Sequence, residues 1–208
     1  MKIQSAEVGM IGTNFYVVTD EKTGVSFAVD TGADYSELEN LLKGKNIKYI
    51  LLTHGHYDHI LGTAQAKKHT GAEVVIGCKD AECLYNETLS RAGLHFPGTQ
   101  ETLKADITVK DGDELRVGSI RIKVLETPGH TRGSVCFILP EQRVIFSGDT
   151  LFYQSIGRTD FPGSSYSDME NSLFKLRTLD GDYKVYPGHG MPTTLDFERK
   201  YNPFMCGG

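Results

Sequence analysis

A mixed α/β domain is what the sequence predicts, on three observations. Short apolar runs bounded by Gly, Pro, Asn or Asp recur in both halves of the chain, at residues 14–20, 25–30, 47–53, 74–76, 120–126, 134–139, 143–146 and 183–186. Residues 36–44, 60–70 and 167–179 carry helical signals between them. No linker-like stretch and no repeat of solenoid period interrupts the 208 residues. The expectation is a single domain spanning 1–208, long enough for a sizeable core.

Taken in order, residues 3–8, 14–20 and 25–30 read as short strands, the last two joined as a hairpin through Glu21-Lys22-Thr23-Gly24. After a break at Thr31-Gly32, Ser36 with Glu39 resembles a capping box, opening a helix through Leu38, Leu41 and Leu42 to about Gly44. Residues 47–53 are a near-continuous apolar run and read as a buried strand. Residues 60–70 read as a helix closed by Gly71, and 74–76 as another buried strand. Residues 79–105 are the least regular. Their start at 79–84 has a helical composition, while Gly93, Pro97 and Gly98 mark a long connection of the kind that often covers a site.

The β-rich pattern resumes at Ile107. Asp111-Gly112-Asp113 signals a turn, 114–118 follows, and in 120–126 Ile120, Ile122 and Val124 alternate with Arg121 and Lys123. Residues 134–139 and 143–146 form a hairpin around Pro140-Glu141-Gln142. Met169, Leu173, Leu176 and Leu179 give 167–179 one apolar face. Residues 183–186 are a last strand and 196–201 a short terminal helix.

Composition narrows the class. Hydrophobic residues at 39% and charged residues at 24% are ordinary for a globular chain, which excludes disorder and fibrous architectures. A net charge of −5 with scattered lysines argues against nucleic acid and against an anionic membrane surface as partners. No apolar stretch approaches the ~20 residues of a membrane span. The N-terminus lacks the apolar core of a signal peptide, and the four cysteines form no C-x-x-C pair. A cytoplasmic protein with reduced thiols is expected, Cys136 being a small core residue. Nothing selects a macromolecular partner or an oligomeric state.

The informative stretch is residues 49–62. Its apolar run ends in His54, His56, Asp58 and His59. At an extended strand end, residues two apart point the same way, so His54 and His56 share one centre. Asp58 and His59, after a Gly-containing turn, face a second centre close by. Imidazole and carboxylate are ligands that divalent metals take. A lone histidine would read as a surface residue; four such groups in six positions read as a metal site.

Three more strand-like runs end alike, in Thr127-Pro128-Gly129-His130, Ser147-Gly148-Asp149 and Pro187-Gly188-His189. Each sets a glycine directly before a ligand-type residue, where it permits a sharp turn and a close backbone approach. Of the seven histidines only His69 and His95 lie outside this device and read as ordinary surface or loop residues. One tetrahedral site needs three or four ligands, so these donors point to two metals. The natural division gives His54, His56 and His130 to the first, and Asp58, His59 and His189 to the second, with Asp149 bridging. Zinc is the first expectation; iron and manganese suit the same donors. Two cations about 3.5–4 Å apart share a water and lower its pKa toward ~7. The chemistry expected is metal-assisted hydrolysis by a bridging hydroxide, oriented by Asp58.

The run Thr53-His54-Gly55-His56-Tyr57-Asp58-His59, followed in order by His130, Asp149 and His189, resembles the signature of the metallo-β-lactamase superfamily over nearly the whole chain. Asp30-Thr31-Gly32 is similar to a motif that family carries near its first strands. The resemblance implies a four-layer αββα sandwich with metals at one edge of two sheets. Gly157-Arg158-Thr159-Asp160-Phe161-Pro162-Gly163 is similar to a run in glyoxalase II-like hydrolases, which cleave the thioester of hydroxyacyl-glutathiones. It implies that Arg158 binds substrate, and a guanidinium there would hold a carboxylate or carbonyl bidentately; a salt bridge to Asp160 is the structural alternative. Only 19 residues follow His189, which is similar to short bacterial members without the C-terminal helical domain that contacts glutathione. The expected substrate is therefore a thioester of a small thiol, its acyl and thiol groups left open. The persulfide dioxygenases carry a similar Gly-Arg-Thr-Asp-Phe run. They imply instead a single iron on residues matching His56, His130 and Asp149, acting on glutathione persulfide. Pro162 and the short C-terminus favour the hydrolase.

Overall fold

A computed structural model describes residues 1–95 and 98–206. Its strands in chain order are β1 (Lys2–Val8), β2 (Thr13–Thr19), β3 (Val25–Val29), β4 (Asn46–Leu52), β5 (Glu73–Gly77), β6 (Ile107–Val109), β7 (Glu114–Val117), β8 (Ile120–Glu126), β9 (Val135–Leu139), β10 (Val144–Gly148), β11 (Leu151–Phe152), β12 (Ser155–Ile156), β13 (Lys184–Pro187) and β14 (Thr193–Thr194). The helices are α1 (Tyr35–Leu42), α2 (Tyr57–Ile60), α3 (Thr63–Thr70), α4 (Ala92–His95), α5 (Tyr166–Arg177) and α6 (Leu195–Tyr201). One sheet takes β1 to β6 in sequence order, and the second runs β14-β13-β10-β9-β8-β7.

The central strands β2 to β5, β9 and β10 are largely buried on both faces because their apolar runs are nearly unbroken, whereas β1, β7 and β8 keep one face toward solvent. In β4, Tyr49 and Leu51 face the other sheet, where they join Phe27, Val29, Phe137 and Phe146. Ile50 and Leu52 turn the opposite way, toward Leu38 and Leu42 of α1 and Ala66 of α3. On the second sheet Cys136, Ile138 and Ile145 face outward onto Met169, Leu173 and Leu176 of α5. Three apolar layers thus separate helix, sheet, sheet and helix. This is the four-layer αββα sandwich that the signature implied. The same burial places Cys136 as the small core residue expected, 0% exposed.

Two expectations are corrected. Ser36 does not cap α1, which starts one residue earlier with Asp34 at its N-cap and no side-chain cap bond. In place of a capping box, the Glu37 carboxylate accepts from the Gly9 N–H at 2.9 Å. The helix expected over 60–70 is two pieces, α2 and α3, divided around Gly62. There the backbone packs so closely that a Cβ would lie 1.9 Å from the Ala33 carbonyl oxygen, and the Gly62 N–H donates to Thr31 O at 2.8 Å. Asp58 and His59, which follow the Gly-containing turn as expected, sit on the short helix α2. Among its described residues the expected irregular connection holds a tight helical turn at Ala81–Leu84 and the single turn α4; Pro97 lies outside the described residues. The short strands β11, β12 and β14 were not legible, since two-residue strands leave no periodicity.

Candidate metal centre

Four strand ends converge. β8 and β10 are each antiparallel to β9, and β10 is parallel to β13, so β8, β10 and β13 share one direction. Their C-terminal ends deliver His130, Asp149 and His189 to one edge of the second sheet. β4 delivers His54 and His56 from the first sheet, and α2 adds Asp58 and His59. The glycine device serves different ends at different loops. A Cβ at Gly188 would lie 2.2 Å from Asp149 Oδ1 and 2.7 Å from His59 Cε1, inside the donor cluster itself. One at Gly129, where φ is 145°, would instead strike the Met169 backbone of α5.

All seven expected donors meet at this edge. His54 Nε2 is 3.1 Å from His56 Nδ1, which is 2.8 Å from His130 Nε2. A second group joins Asp58, His59 and His189, with Asp58 Oδ2 3.2 Å from both His59 Nε2 and His189 Nε2. Asp149 stands between them. Its Oδ1 is 3.4 Å from His59 Nε2, and its Oδ2 is 3.5 Å from His130 Nε2 and 3.6 Å from His189 Nε2. The donor atoms within each group lie within 4.8 Å of one another.

A second ring of bonds fixes which nitrogens face inward. His130 Nδ1 donates to the Arg158 carbonyl at 2.8 Å, so its Nε2 is left as a lone pair. His59 Nδ1 bonds Asp30 Oδ2 at 2.9 Å. Thr53 Oγ1 donates to the same oxygen at 2.7 Å and lies 3.3 Å from His54 Nδ1. Asp30 thus orients two donor histidines, one directly and one through Thr53, and does so from a positive φ of 55°. The chain accepts that backbone conformation only where surrounding bonds impose it. Asp80 clamps the other side, accepting from Gly55 N, Gly133 N and Thr131 Oγ1 at 2.9, 2.8 and 2.7 Å.

The residues present fit a cation. His59 Nε2 and Asp149 Oδ1 are buried and make no hydrogen bond. Leaving each unpaired costs about 1–3 kcal/mol, which an ion between them offsets. The three converging imidazole nitrogens of the first group likewise have no common proton donor, whereas one cation satisfies all three lone pairs. Charge divides the two groups. Burial, reinforced by neighbouring imidazoles, pushes His54 well below the ordinary histidine value and His56 down to about 3. Burial also opposes charge on His59, but Asp58, Asp30 and Asp149 outweigh it and hold His59 well above the ordinary value. His189 is raised too, its bond to Asp58 and the nearby Asp149 overcoming burial. Burial raises the Asp58 and Asp149 carboxyls, yet the facing histidines dominate and hold both low.

A cavity of about 540 Å³ opens over the donors, walled by Tyr57, Arg91, His95, Phe152, Arg158 and Phe161. Arg158 is at the expected place, but its Nε and Nη2 both donate to Asp160 at 2.7 Å. His95, exposed as expected of a surface or loop residue, also lines the cavity beside Arg91. His69 is exposed and stacks on Tyr35, as a surface residue. Sequence reasoning gave no role to Asp80, Thr13 or Arg91. Asp80 sits in an irregular run, and Thr13, whose Oγ1 donates to Asp58 Oδ2 at 3.1 Å, lies 45 residues from its partner. Asp30 did carry a signal, an acidic residue before Thr-Gly at a strand end.

An αββα sandwich with a His/Asp cluster at the sheet edge defines a metal-dependent hydrolase of the divalent-metal type. Residues 8–189 match the family model of the metallo-beta-lactamase superfamily, and the chain belongs to that superfamily. Among its relatives, the hydroxyacylglutathione hydrolase GloC of Haemophilus influenzae is 32% identical over 210 residues, covering 99% of this chain and 98% of the relative. The crystal structure of the BLEG-1 B3 metallo-beta-lactamase superposes with a TM-score of 0.92 at 32% identity, covering 99% of this chain and 100% of its own. TTHA1623 in a di-iron-bound form gives 0.85 at 30% identity, with 97% and 99% covered. Among the described residues no helix is long and apolar enough to cross a membrane.

Proposed function

We propose that the protein is a dinuclear metal-dependent hydrolase that cleaves a thioester of a small thiol. The observation that carries this reading is Asp149 standing between two complete donor groups at the floor of an open cavity. His54, His56 and His130 would hold one cation, Asp58, His59 and His189 the other, and Asp149 both. Two such cations supply Lewis acidity and an activated water at neutral pH. The chain's own residues do the rest. Asp58, whose Oδ2 accepts from Thr13 Oγ1 and lies 3.2 Å from His59 Nε2 and His189 Nε2, is fixed where it can orient that water. Asp30 and the Arg158 carbonyl keep the imidazole tautomers that present lone pairs inward. Phe152 and Phe161 give the cavity apolar walls for an acyl group, and its volume suits a small molecule.

The hydroxyacylglutathione hydrolase among the relatives supports thioester chemistry, and the di-iron neighbour supports two metals of which iron is one choice beside zinc and manganese. The single-iron arrangement on His56, His130 and Asp149 competes, since His130 Nε2 is near both partners, at 2.8 and 3.5 Å. The deciding experiment pairs elemental analysis with assays of hydroxyacyl thioester cleavage, β-lactam cleavage and O₂ uptake on glutathione persulfide. The expected result is about two metals per chain, thioester cleavage and loss of activity on chelation. One tightly held iron with O₂ uptake, or β-lactam cleavage without thioester cleavage, overturns the proposal.

A further inference from the structure

The thiol half of the substrate is left open by the cluster itself, and the irregular segment preceding residue 96 bears on it. Arg91 is held at φ 65°, a left-handed conformation that residues with a Cβ rarely adopt. The frame around it is well bonded. Ser90 is fully buried; its Oγ donates to Gln100 Oε1 at 2.6 Å, and Gln100 Nε2 donates to Cys83 O at 2.8 Å. The Ser90 carbonyl accepts from the Tyr57 N–H at 2.8 Å, which anchors the segment to the residue beside Asp58. Strain imposed by such a frame orients a side chain, and strain of this kind gathers at ligand clamps.

What is oriented is a cation. The Arg91 guanidinium lies 3.7 Å from the Phe161 ring centroid and its Nη2 is 3.0 Å from His95 Nε2, with all three residues lining the cavity over the donors. Arg158 stands on the same ring at 4.0 Å but has both Nε and Nη2 committed to Asp160. Among the described residues no carboxylate is ion-paired with Arg91; the Asp160 carboxylate feels its charge but is bonded to Arg158, so two guanidinium groups share one aromatic ring and only Arg158 is directly paired. A planar guanidinium with open N–H groups matches a carboxylate in two-point fashion, where an amide or hydroxyl would match it poorly.

We propose that Arg91 is the substrate-recognition residue for a carboxylate, so that the site selects thioesters whose thiol half is a small carboxylic acid. The proposal rests on the thioesterase reading and deepens it. Arg158, by contrast, contributes its carbonyl to His130 and its side chain to Asp160.

The test uses the metal-loaded full chain and a matched pair of substrates, the S-lactoyl thioesters of mercaptoacetate and of mercaptoacetamide. In Arg91→Ala the KM for the mercaptoacetate ester rises about tenfold or more, the size expected for a lost bond to a charged group. The kcat is little changed, the amide-bearing ester is unaffected, and Arg91→Lys restores part of the loss. Metal content and thermal midpoint are measured in each variant to exclude misfolding. Binding of S-methyl mercaptoacetate, which has no thioester, is followed by calorimetry in parallel and weakens in Arg91→Ala but not in Arg158→Ala. Equal KM for both esters, or calorimetric binding indifferent to Arg91, overturns the assignment even if thioesters are cleaved. Failure to cleave either ester sinks the thioesterase reading, while the calorimetric arm still decides Arg91.

Discussion

The two donor groups of the cluster differ in charge more than in geometry. His54, His56 and His130 are an all-imidazole set in which burial drives His54 and His56 toward the neutral form. Asp58, His59 and His189 mix a carboxylate with imidazoles whose proton affinity is raised. Without a cation, the first set is a cup of lone pairs and the second is a network of internal ion pairs. A cation entering the first set displaces no proton from His54 or His56. One entering the second must displace protons from His59 and His189, yet finds two carboxylates waiting. The lesson is that one fold edge builds two donor groups of different proton dependence, with Asp149 standing between them.

The largest break in this comparison comes from Asp149→Ala, which removes the shared ligand. Elemental analysis is expected to show loss of both metals and no residual hydrolysis. Swapping one ligand is the next step down. His56→Gln and His59→Gln are each expected to leave about one metal per chain, from opposite sets. Equal loss of both metals in both variants would show that the sets do not load separately.

Lowering the pH sharpens the same contrast without mutation. His59 and His189 have raised folded-state proton affinity, so their protonation stabilises the metal-free fold at low pH, and that contribution is lost as pH rises through the raised values. Protons and metal compete at these nitrogens. Between about pH 7 and about pH 5, dialysed protein is expected to fall from two metals toward one, because the second set empties while His54 and His56 stay neutral. A parallel loss from both sets would contradict the charge division.

Smaller effects come from the surrounding ring. Asp30→Asn tolerates the positive φ but weakens the hold on His59 and, through Thr53, on His54. A fall in metal affinity or activity of about 10–100-fold is expected, spread over both sets. Thr13→Val removes one hydroxyl from Asp58 alone, and its effect of about tenfold should be confined to the second set in a metal titration.

How much of this was legible follows from where each residue's partners lie. The seven donors could be read because each ends an apolar run, and in three loops a glycine precedes the donor, a pattern that survives in one dimension. The division into sets was readable for His54 and His56 from strand alternation. Placing Asp58 and His59 on α2 was not, because the break at Gly62 depends on the Ala33 carbonyl against which it packs. Asp80 left no trace, since its three bonds reach residues 55, 131 and 133 across the fold. Arg91 and His95 were hidden for a related reason: the loop that carries them has no period, and its conformation is set by Ser90, Gln100 and Cys83. For the fold, runs apolar on every residue announced buried strands, but the pairing of β10 with β13, separated by α5, rests on long-range contacts alone.

Counting the metals by elemental analysis, in the wild type and in His59→Gln, tests most directly whether one carboxylate ties two cation sites together. About two per chain in the first and about one in the second is the expected result. A single cation in the wild type that His59→Gln retains in full would contradict it.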